Sequence, residues 1–243
     1  ACPPVPPRSH HVKPSAVIGP IAAPAGSGKS PTAGRAAARL EYVYLETGAM
    51  SRAVALGFLQ ADAPATLSGA EAVLPALAVD VQYKDDTMQV FLGDDAVTDR
   101  IRTAEVGRIV SDISTLAPVR EYMVEQQRRI GRAQADRHGG VVLDGRDTGT
   151  VVFPEAPVKI FMVADIDERA RRRLQEYEAA GEEVTFDEVR AEIEERDQQD
   201  RTRDIAPLRR ADDAIVLDTT DTTIAEQVDF VVDRVKAHDA RGT

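Results

Sequence analysis

The sequence predicts an α/β protein: a parallel sheet with helices on its faces. Three observations carry that prediction. From Ser15 onward, short apolar runs alternate with helical stretches, the rhythm of successive βα units. The first apolar run feeds a glycine-rich loop that opens directly into a helix. Two later runs, GVVL at 140–143 and VKIFMV at 158–163, are bounded by turn residues and read as buried strands.

Taken in order, 16–21 is the first strand, 29–40 an Ala- and Arg-rich helix, 42–45 a second strand and 49–59 a second helix. The rhythm breaks over 79–98. There Val81 and Tyr83 alternate with polar residues, Lys84-Asp85-Asp86 turns, 88–92 returns, and Gly93-Asp94-Asp95 turns again. That pattern predicts a small antiparallel insertion with one wet face. After the strands at 140–143 and 158–163 come two charged helices within 166–203, split by Ala180-Gly181 and a Thr185-x-x-Glu188 capping box. A strand at 214–217 and an amphipathic helix at 223–236 close the fold. The first 14 residues hold five prolines and no periodic pattern, and are expected to be a disordered leader. The organisation expected is thus leader 1–14 and one domain over 15–243, with an insertion at about 62–104.

Composition narrows the function. The chain has 243 residues, 43% hydrophobic and 29% charged, enough for a sizeable core. Thirty Lys and Arg against 41 Asp and Glu leave a net charge of −11, which disfavours a nucleic-acid partner but permits a small anion held by a local arginine cluster. One cysteine, Cys2, excludes an intrachain disulfide, and four histidines without ligand spacing argue against a zinc hydrolase. No apolar run approaches the ~20 residues of a membrane span. A cytoplasmic protein without a membrane partner is expected, and nothing in the sequence demands more than a monomer.

The strongest local signal is Ala23-Pro-Ala25-Gly26-Ser27-Gly28-Lys29-Ser30, between strand and helix. Successive backbone N–H groups and the helix N-terminus would face a phosphate chain. Lys29 adds a charge near the outer phosphates, and the Ser30 hydroxyl can ligate Mg²⁺. Asp144-Gly-Arg146-Asp147 follows the GVVL strand, at the carboxyl end where doubly wound sheets bind ligands. Arg146 could fork onto a phosphate there; a structural Arg–Asp turn explains it equally well. Thr47-Gly-Ala-Met-Ser51-Arg52 puts Arg52 on the first turn of the second helix. Arg196, Asp200 and Arg203 fall at i, i+4 and i+7, one face of a helix. Each of these last two has a bland alternative, a solvated arginine or a surface ion-pair ladder. Together the four segments suggest transfer between two phosphorylated substrates, ATP in the loop and an acceptor held by arginines. An acceptor phosphate is already ionised near neutrality, so positioning and charge neutralisation suffice without a general base.

These residues resemble bacterial cytidylate kinases, from Ser15 to the closing helix. The segments that carry the resemblance are PAGSGKS at 24–30, YVYLETGAMSRAVAL at 42–56, IRTAEV at 101–106, VREYM at 119–123, DGRDTGTVVFPEAPVKIF at 144–161 and ERDQQDRTRDIAPL at 195–208. The resemblance implies a P-loop nucleoside-monophosphate kinase fold with an acceptor-binding insertion and a mobile lid at about 166–187, acting on ATP and CMP or dCMP with Mg²⁺. It implies that Ala25–Ser30 hold the donor, that Arg52, Arg146 and Arg203 hold the acceptor phosphate, and that Arg196 and Asp200 contact the sugar. Ser111, Arg120 and Asp147 then read cytosine, with Thr47 and Asp144 in the same site, and Arg172, with Arg173, closes over the transferring group.

The chain departs from the family pattern at several places. Ala22-Ala23 stands where Asp-Gly is usual, and an Ala23 Cβ would crowd the loop if its φ were positive. Ser51 replaces a tyrosine, Glu46 an aspartate. Pro31 is tolerable only in the first helical turn, and Gly19-Pro20 interrupts a strand that should be central. These departures raise the alternative of a catalytically weakened nucleotide-binding relative.

Overall fold

The structure, a computed structural model, describes residues 17–85, 87–203 and 205–240. The expected leader, with Cys2, His10 and His11, lies outside the described residues. The elements run β1 (Val17–Ala22), α1 (Lys29–Leu40), β2 (Val43–Glu46), α2 (Thr47–Gln60), α3 (Leu67–Val73), β3 (Val79–Lys84), β4 (Thr87–Leu92) and β5 (Asp95–Ala96). They continue with α4 (Ala104–Ile113), α5 (Ala117–His138), β6 (Gly140–Gly145), β7 (Ile160–Val163), α6 (Ile166–Ala179), α7 (Phe186–Thr202), β8 (Ile215–Asp218) and α8 (Ile224–Asp239).

The main sheet is parallel throughout, in the order β2-β6-β1-β7-β8. Its two faces bury separate apolar clusters. On one face Leu45, Met50, Phe58, Ile113, Ile130 and Phe153 pack under α2, α4 and α5. On the other, Ile21, Ala33, Met162, Val228 and Val231 pack under α1 and α8. Successive β6 residues point to opposite clusters: Val141 and Leu143 to the first, Val142 to the second. Phe153 is fully buried, and its ring sits where a Cβ on Gly131 of α5 would come within 2.7 Å. Truncating Phe153 to alanine would cost about 3–5 kcal/mol.

Proline in the central strand proves harmless. Ala23 N–H donates to Gly145 O at 3.2 Å, on the β6 side. By alternation the Pro20 nitrogen faces β7, whose pairing with β1 begins only at Ile21↔Ile160. The missing donor therefore falls before β7 starts, and no ladder bond is lost.

The hairpin over 79–98 is present. β3 and β4 are antiparallel, Lys84 opposite Thr87, with Asp85 at φ 50° in the turn, and β5 adds a short third strand. Tyr83 Oη donates to Tyr44 O at 2.8 Å and hooks the hairpin onto β2. Three helices that the sequence reading leaves unassigned, α3, α4 and the 22-residue α5, fill the span between α2 and β6. α2 begins at Thr47, two residues earlier than expected, so Arg52 lies in its second turn and not its first. α7 ends at Thr202, and Arg203 is its extended C-cap at ψ 140°. The three-residue helical face drawn through Arg196, Asp200 and Arg203 thus stops one residue short.

Candidate active site

The carboxyl ends of β1, β2 and β6 converge on one crevice. At its floor the loop 23–30 turns from β1 into α1. Gly26 (φ 70°) and Gly28 (φ 82°) take left-handed conformations, and a Cβ on Gly26 would meet the Arg169 carbonyl oxygen at 3.0 Å. The loop is braced from three sides. Ser27 Oγ donates to Pro24 O at 3.0 Å, Thr219 Oγ1 to Ser27 O at 3.0 Å, and Arg169 Nη1 to Ala25 O at 3.2 Å. The crowding expected at Ala23 is absent: its φ lies outside the left-handed region and its methyl is fully buried against the α1–α8 core. Pro31 also costs nothing to the helix. The first intrahelical bond runs from Thr32 N to Gly28 O, so Pro31 occupies a position whose N–H has no helical acceptor.

Lys29 opens α1, its ammonium set among Arg146, Asp144, Arg196 and Asp200. Loss of hydration, reinforced by the Arg146 charge, pulls its pKa down to about 7. Ser30 Oγ donates to Asp144 Oδ2 at 2.5 Å. Asp144, at the end of β6, is buried, and that burial raises its pKa against the pull of Lys29. The Tyr44 hydroxyl stands beside Ser30 and Asp144, buried without a well-formed hydrogen bond among the described residues. Thr47 Oγ1 donates to Asp144 O at 2.6 Å, tying α2 to β6. Hydroxyl and carboxylate oxygens next to a phosphate cradle suit a small hard cation, and Ser30 with Asp144 could hold Mg²⁺.

Beyond Lys29 the arginines form one connected cluster. Arg146 Nε donates to Asp200 Oδ2 at 2.6 Å; Arg203 Nη1 reaches Asp200 Oδ1 at 3.5 Å, and its Nε donates to Ala206 O at 2.6 Å. Arg120 pairs with Asp147, both largely buried. Desolvation lowers the pKa of Arg196, with Arg146 and Arg52 adding to the effect, and lowers that of Arg203, with Arg120 adding to it. Burial pushes Asp200 up, but Arg146, Arg203 and Arg196 outweigh it and hold the carboxyl below its usual range. Arg52 sits at the rim, its Nη1 bonded to Glu46 Oε1 at 3.0 Å, while Arg102 holds the other Glu46 oxygen at 3.0 Å. The longer Glu46 therefore bridges two arginines. So Lys29, Arg52, Arg120, Asp144, Arg146, Asp147, Arg196, Asp200 and Arg203 lie in one connected cluster.

Three expected residues stand apart. Ser111 is exposed on α4. It is Ser114 that, with Ser51, Val119 and Arg120, lines a cavity of about 10 Å³. Arg172 donates from Nη2 to Thr219 O at 2.6 Å and lies near Gly28, on the phosphate-loop side and not in the arginine cluster. Arg173 bonds Glu176 and stacks over Tyr177 on its own helix, turned away from the crevice. A larger groove, about 600 Å³, runs along α5 past Val124 and Arg128 to Ile205 and shares only Arg120 with the crevice. Sequence reasoning missed Arg169, Thr219 and Tyr44. The first is one of five arginines between 169 and 190 with nothing local to single it out. Thr219 lies 189 residues from Ser30 in the chain, and Tyr44 reads as ordinary strand.

A phosphate loop and a separate arginine cluster facing one another, with Lys29 between, can bring two phosphorylated groups end to end. The comparisons with known proteins agree. The family model for cytidylate kinase matches residues 20–237. The chain is 90% identical over 223 residues to a cytidylate kinase of Salinibacter ruber, covering 92% of this chain and 98% of that protein. It is 47% identical over 212 residues to one of Chloroherpeton thalassium (86% and 88% covered) and 42% over 216 to one of Lactococcus lactis (89% and 96%). The match runs from the first strand into the last helix and takes in the glycine-rich loop and the arginine cluster alike: the chain belongs to the cytidylate kinase family.

Proposed function

We infer that this chain transfers the γ-phosphoryl group of ATP to the phosphate of CMP or dCMP, giving ADP and CDP or dCDP. The observation that supports this most directly is the single crevice joining Lys29 and the phosphate loop to Arg146, Arg196 and Arg203 through Asp144 and Asp200. ATP is the donor. The loop amides from Ala25 to Ser30 take its β and γ phosphates, and Mg²⁺, which Ser30 beside Asp144 would hold, would neutralise phosphate charge there. Arg52, Arg146 and Arg203 fork onto the acceptor phosphate and fix it for in-line attack by one of its own oxygens. No base is needed. Asp147 and Arg120 suit cytosine. A carboxylate accepts from the N4 amino group, whereas uracil would turn a carbonyl oxygen toward it. We assign Arg196 and Asp200, beside Arg146 in the same cluster, to the ribose or deoxyribose. Every one of these groups comes from one copy of the chain, so a monomer suffices.

With Ala23 unstrained and Pro31 outside the helical ladder, the grounds for a weakened relative fall away. The test is a coupled ADP-release assay with CMP, dCMP, UMP and AMP at saturating Mg-ATP. CMP and dCMP should turn over with UMP far behind and AMP silent. Equal rates with all four, or none with CMP, would overturn the reading.

A further inference from the structure

We propose that Arg169 and Asp197 form a positioning link that holds the phosphate loop and the acceptor-binding helix α7 as one body, so that each nucleotide tightens the binding of the other. The proposal rests on the functional reading above and concerns two residues outside it.

α6 and α7 form a hairpin with an apolar core of its own. Ala170, Val189 and Ile193 are buried there against Ile166, Leu174 and Phe186, separately from the two clusters of the main sheet. A hairpin with a private core moves as a unit, and its setting on the rest of the molecule depends on what crosses the boundary. Arg169 crosses it. Its Nη1 donates to Asp197 Oδ2 at 2.7 Å and to Ala25 O, in the phosphate loop, at 3.2 Å, and its Nε donates to Ala164 O at 3.2 Å. The Arg169 backbone also packs on Gly26 so closely that only glycine fits there. The two side chains are 6% and 8% exposed.

Asp197 lies between Arg196 and Asp200 on α7, three residues before the partner of Arg146. One guanidinium is thus bonded both to the loop that takes the donor and to the helix segment that takes the acceptor. Stability alone is a poor account of the pair. Buried ion pairs add little to folding, and the second oxygen of Asp197, Oδ1, is buried with no hydrogen-bond partner among the described residues, which makes this an expensive place for a carboxylate. A link that sets geometry explains why the charge stands there. A nucleotide that fixes the loop then fixes α7 in advance for its partner, and by reciprocity the converse holds.

The test separates fold from link. Replacing both members by apolar side chains of similar volume, Arg169→Met with Asp197→Leu, removes the buried charges together and is expected to keep the melting temperature near that of the parent. It cannot restore the bond to Ala25 O. Calorimetry measures the dissociation constant of a non-hydrolysable ATP analogue with Mg²⁺, in the absence and presence of saturating CMP. The parent should show a ratio of about fivefold or more, and the double variant a ratio near one. The single variant Asp197→Asn, which keeps the shape and an acceptor oxygen, should fall between. A parent that turns over CMP yet shows no synergy, or a folded double variant that keeps the parent's ratio, overturns the proposal while leaving the kinase reading intact. A double variant that fails to fold shows that the pair holds the structure together and also overturns it. A parent that neither binds nor phosphorylates CMP would instead sink the functional reading.

Discussion

Donor binding should take up a proton near pH 8. Lys29, free of ligand, has its pKa pulled from 10.5 to about 7 by lost hydration and by the charge of Arg146. The β and γ phosphates of ATP bring several negative charges to that ammonium and return its pKa toward the ordinary value. With a free value of about 7 and a bound value returned toward the ordinary 10.5, Lys29 is roughly one-tenth protonated before binding near pH 8 and almost fully after it. Uptake is then about 0.9 proton near pH 8 and about 0.1 near pH 6, where the free protein already carries the proton. The same shift has a sign for stability. A lysine whose folded pKa lies below its unfolded one makes the unfolded chain the better proton binder between the two values. The ligand-free fold therefore gains stability as pH rises from about 7 toward 10.5 and is penalised below about 7. The assay is titration calorimetry of a Mg-bound, non-hydrolysable ATP analogue in two buffers of different ionisation enthalpy, near pH 6 and pH 8. A buffer-dependent enthalpy at pH 8 that vanishes in Lys29→Met is the expected result. Identical enthalpies in both buffers at pH 8 would refute the account of Lys29.

Arg146→Met should lower kcat by about 10²–10³, since it removes a preorganised cation from the transferring group and frees Asp200 to repel it; single-turnover kinetics measure this. Ala23→Gly should leave kcat within about twofold and lower thermal stability by about 0.5–1 kcal/mol, because it removes a buried methyl and loosens unstrained backbone; a large rise in kcat would show that the loop was crowded after all. Arg172→Ala should raise the KM for ATP about tenfold and leave that for CMP unchanged, because the side chain docks on Thr219 beside Gly28; steady-state kinetics with each substrate varied decide it. Ser51→Tyr cannot place its ring in a cavity of about 10 Å³, so the ring must turn toward the acceptor and should lower the KM for CMP with that for ATP unchanged.

What the sequence reveals and what it hides divide along physical lines. Signals that act within one stretch of chain were legible. The strand–loop–helix at 17–40, the hairpin with its paired turns and the capping box at Thr185 each follow from neighbours a few residues apart. α5 was not, although it is 22 residues long. The face it buries carries Gln127, Gly131, Gln134 and Ala135 as well as Val119, Met123 and Ile130, so the apolar period that marks a helix is diluted by amides and small residues. Those residues are small or polar for local reasons: Gly131 makes room for Phe153, and Gln134 Nε2 donates to Val81 O at 3.1 Å. The order β2-β6-β1-β7-β8 was equally invisible, because which strands become neighbours is settled by packing between segments 55 to 139 residues apart. In the site, the motifs pointed to most of the arginines that the fold gathers, but not to their partners. Arg120 with Asp147, Arg146 with Asp200 and Glu46 between Arg52 and Arg102 are pairings that only the fold can make.

The crevice also runs against the rest of the chain. The protein carries a net charge of −11, yet around the junction of the two sites it gathers Lys29 and Arg52, Arg120, Arg146, Arg196 and Arg203 against Asp144, Asp147 and Asp200. The depressed pKa values of Lys29, Arg196 and Arg203 record the cost of that gathering: each is partly stripped of water and repelled by a neighbouring cation. Such a cluster destabilises the empty fold and is relieved by phosphate charge. Two nucleotides supply that charge on either side of Lys29, and neither alone neutralises the whole set, since the loop faces one half and Arg52 and Arg203 the other. The cluster is therefore fully neutralised only in the doubly occupied site, whatever couples the two binding events. This is the state in which transfer to a phosphate can compete with transfer to water. The acidic exterior keeps longer polyanions away from the same cations.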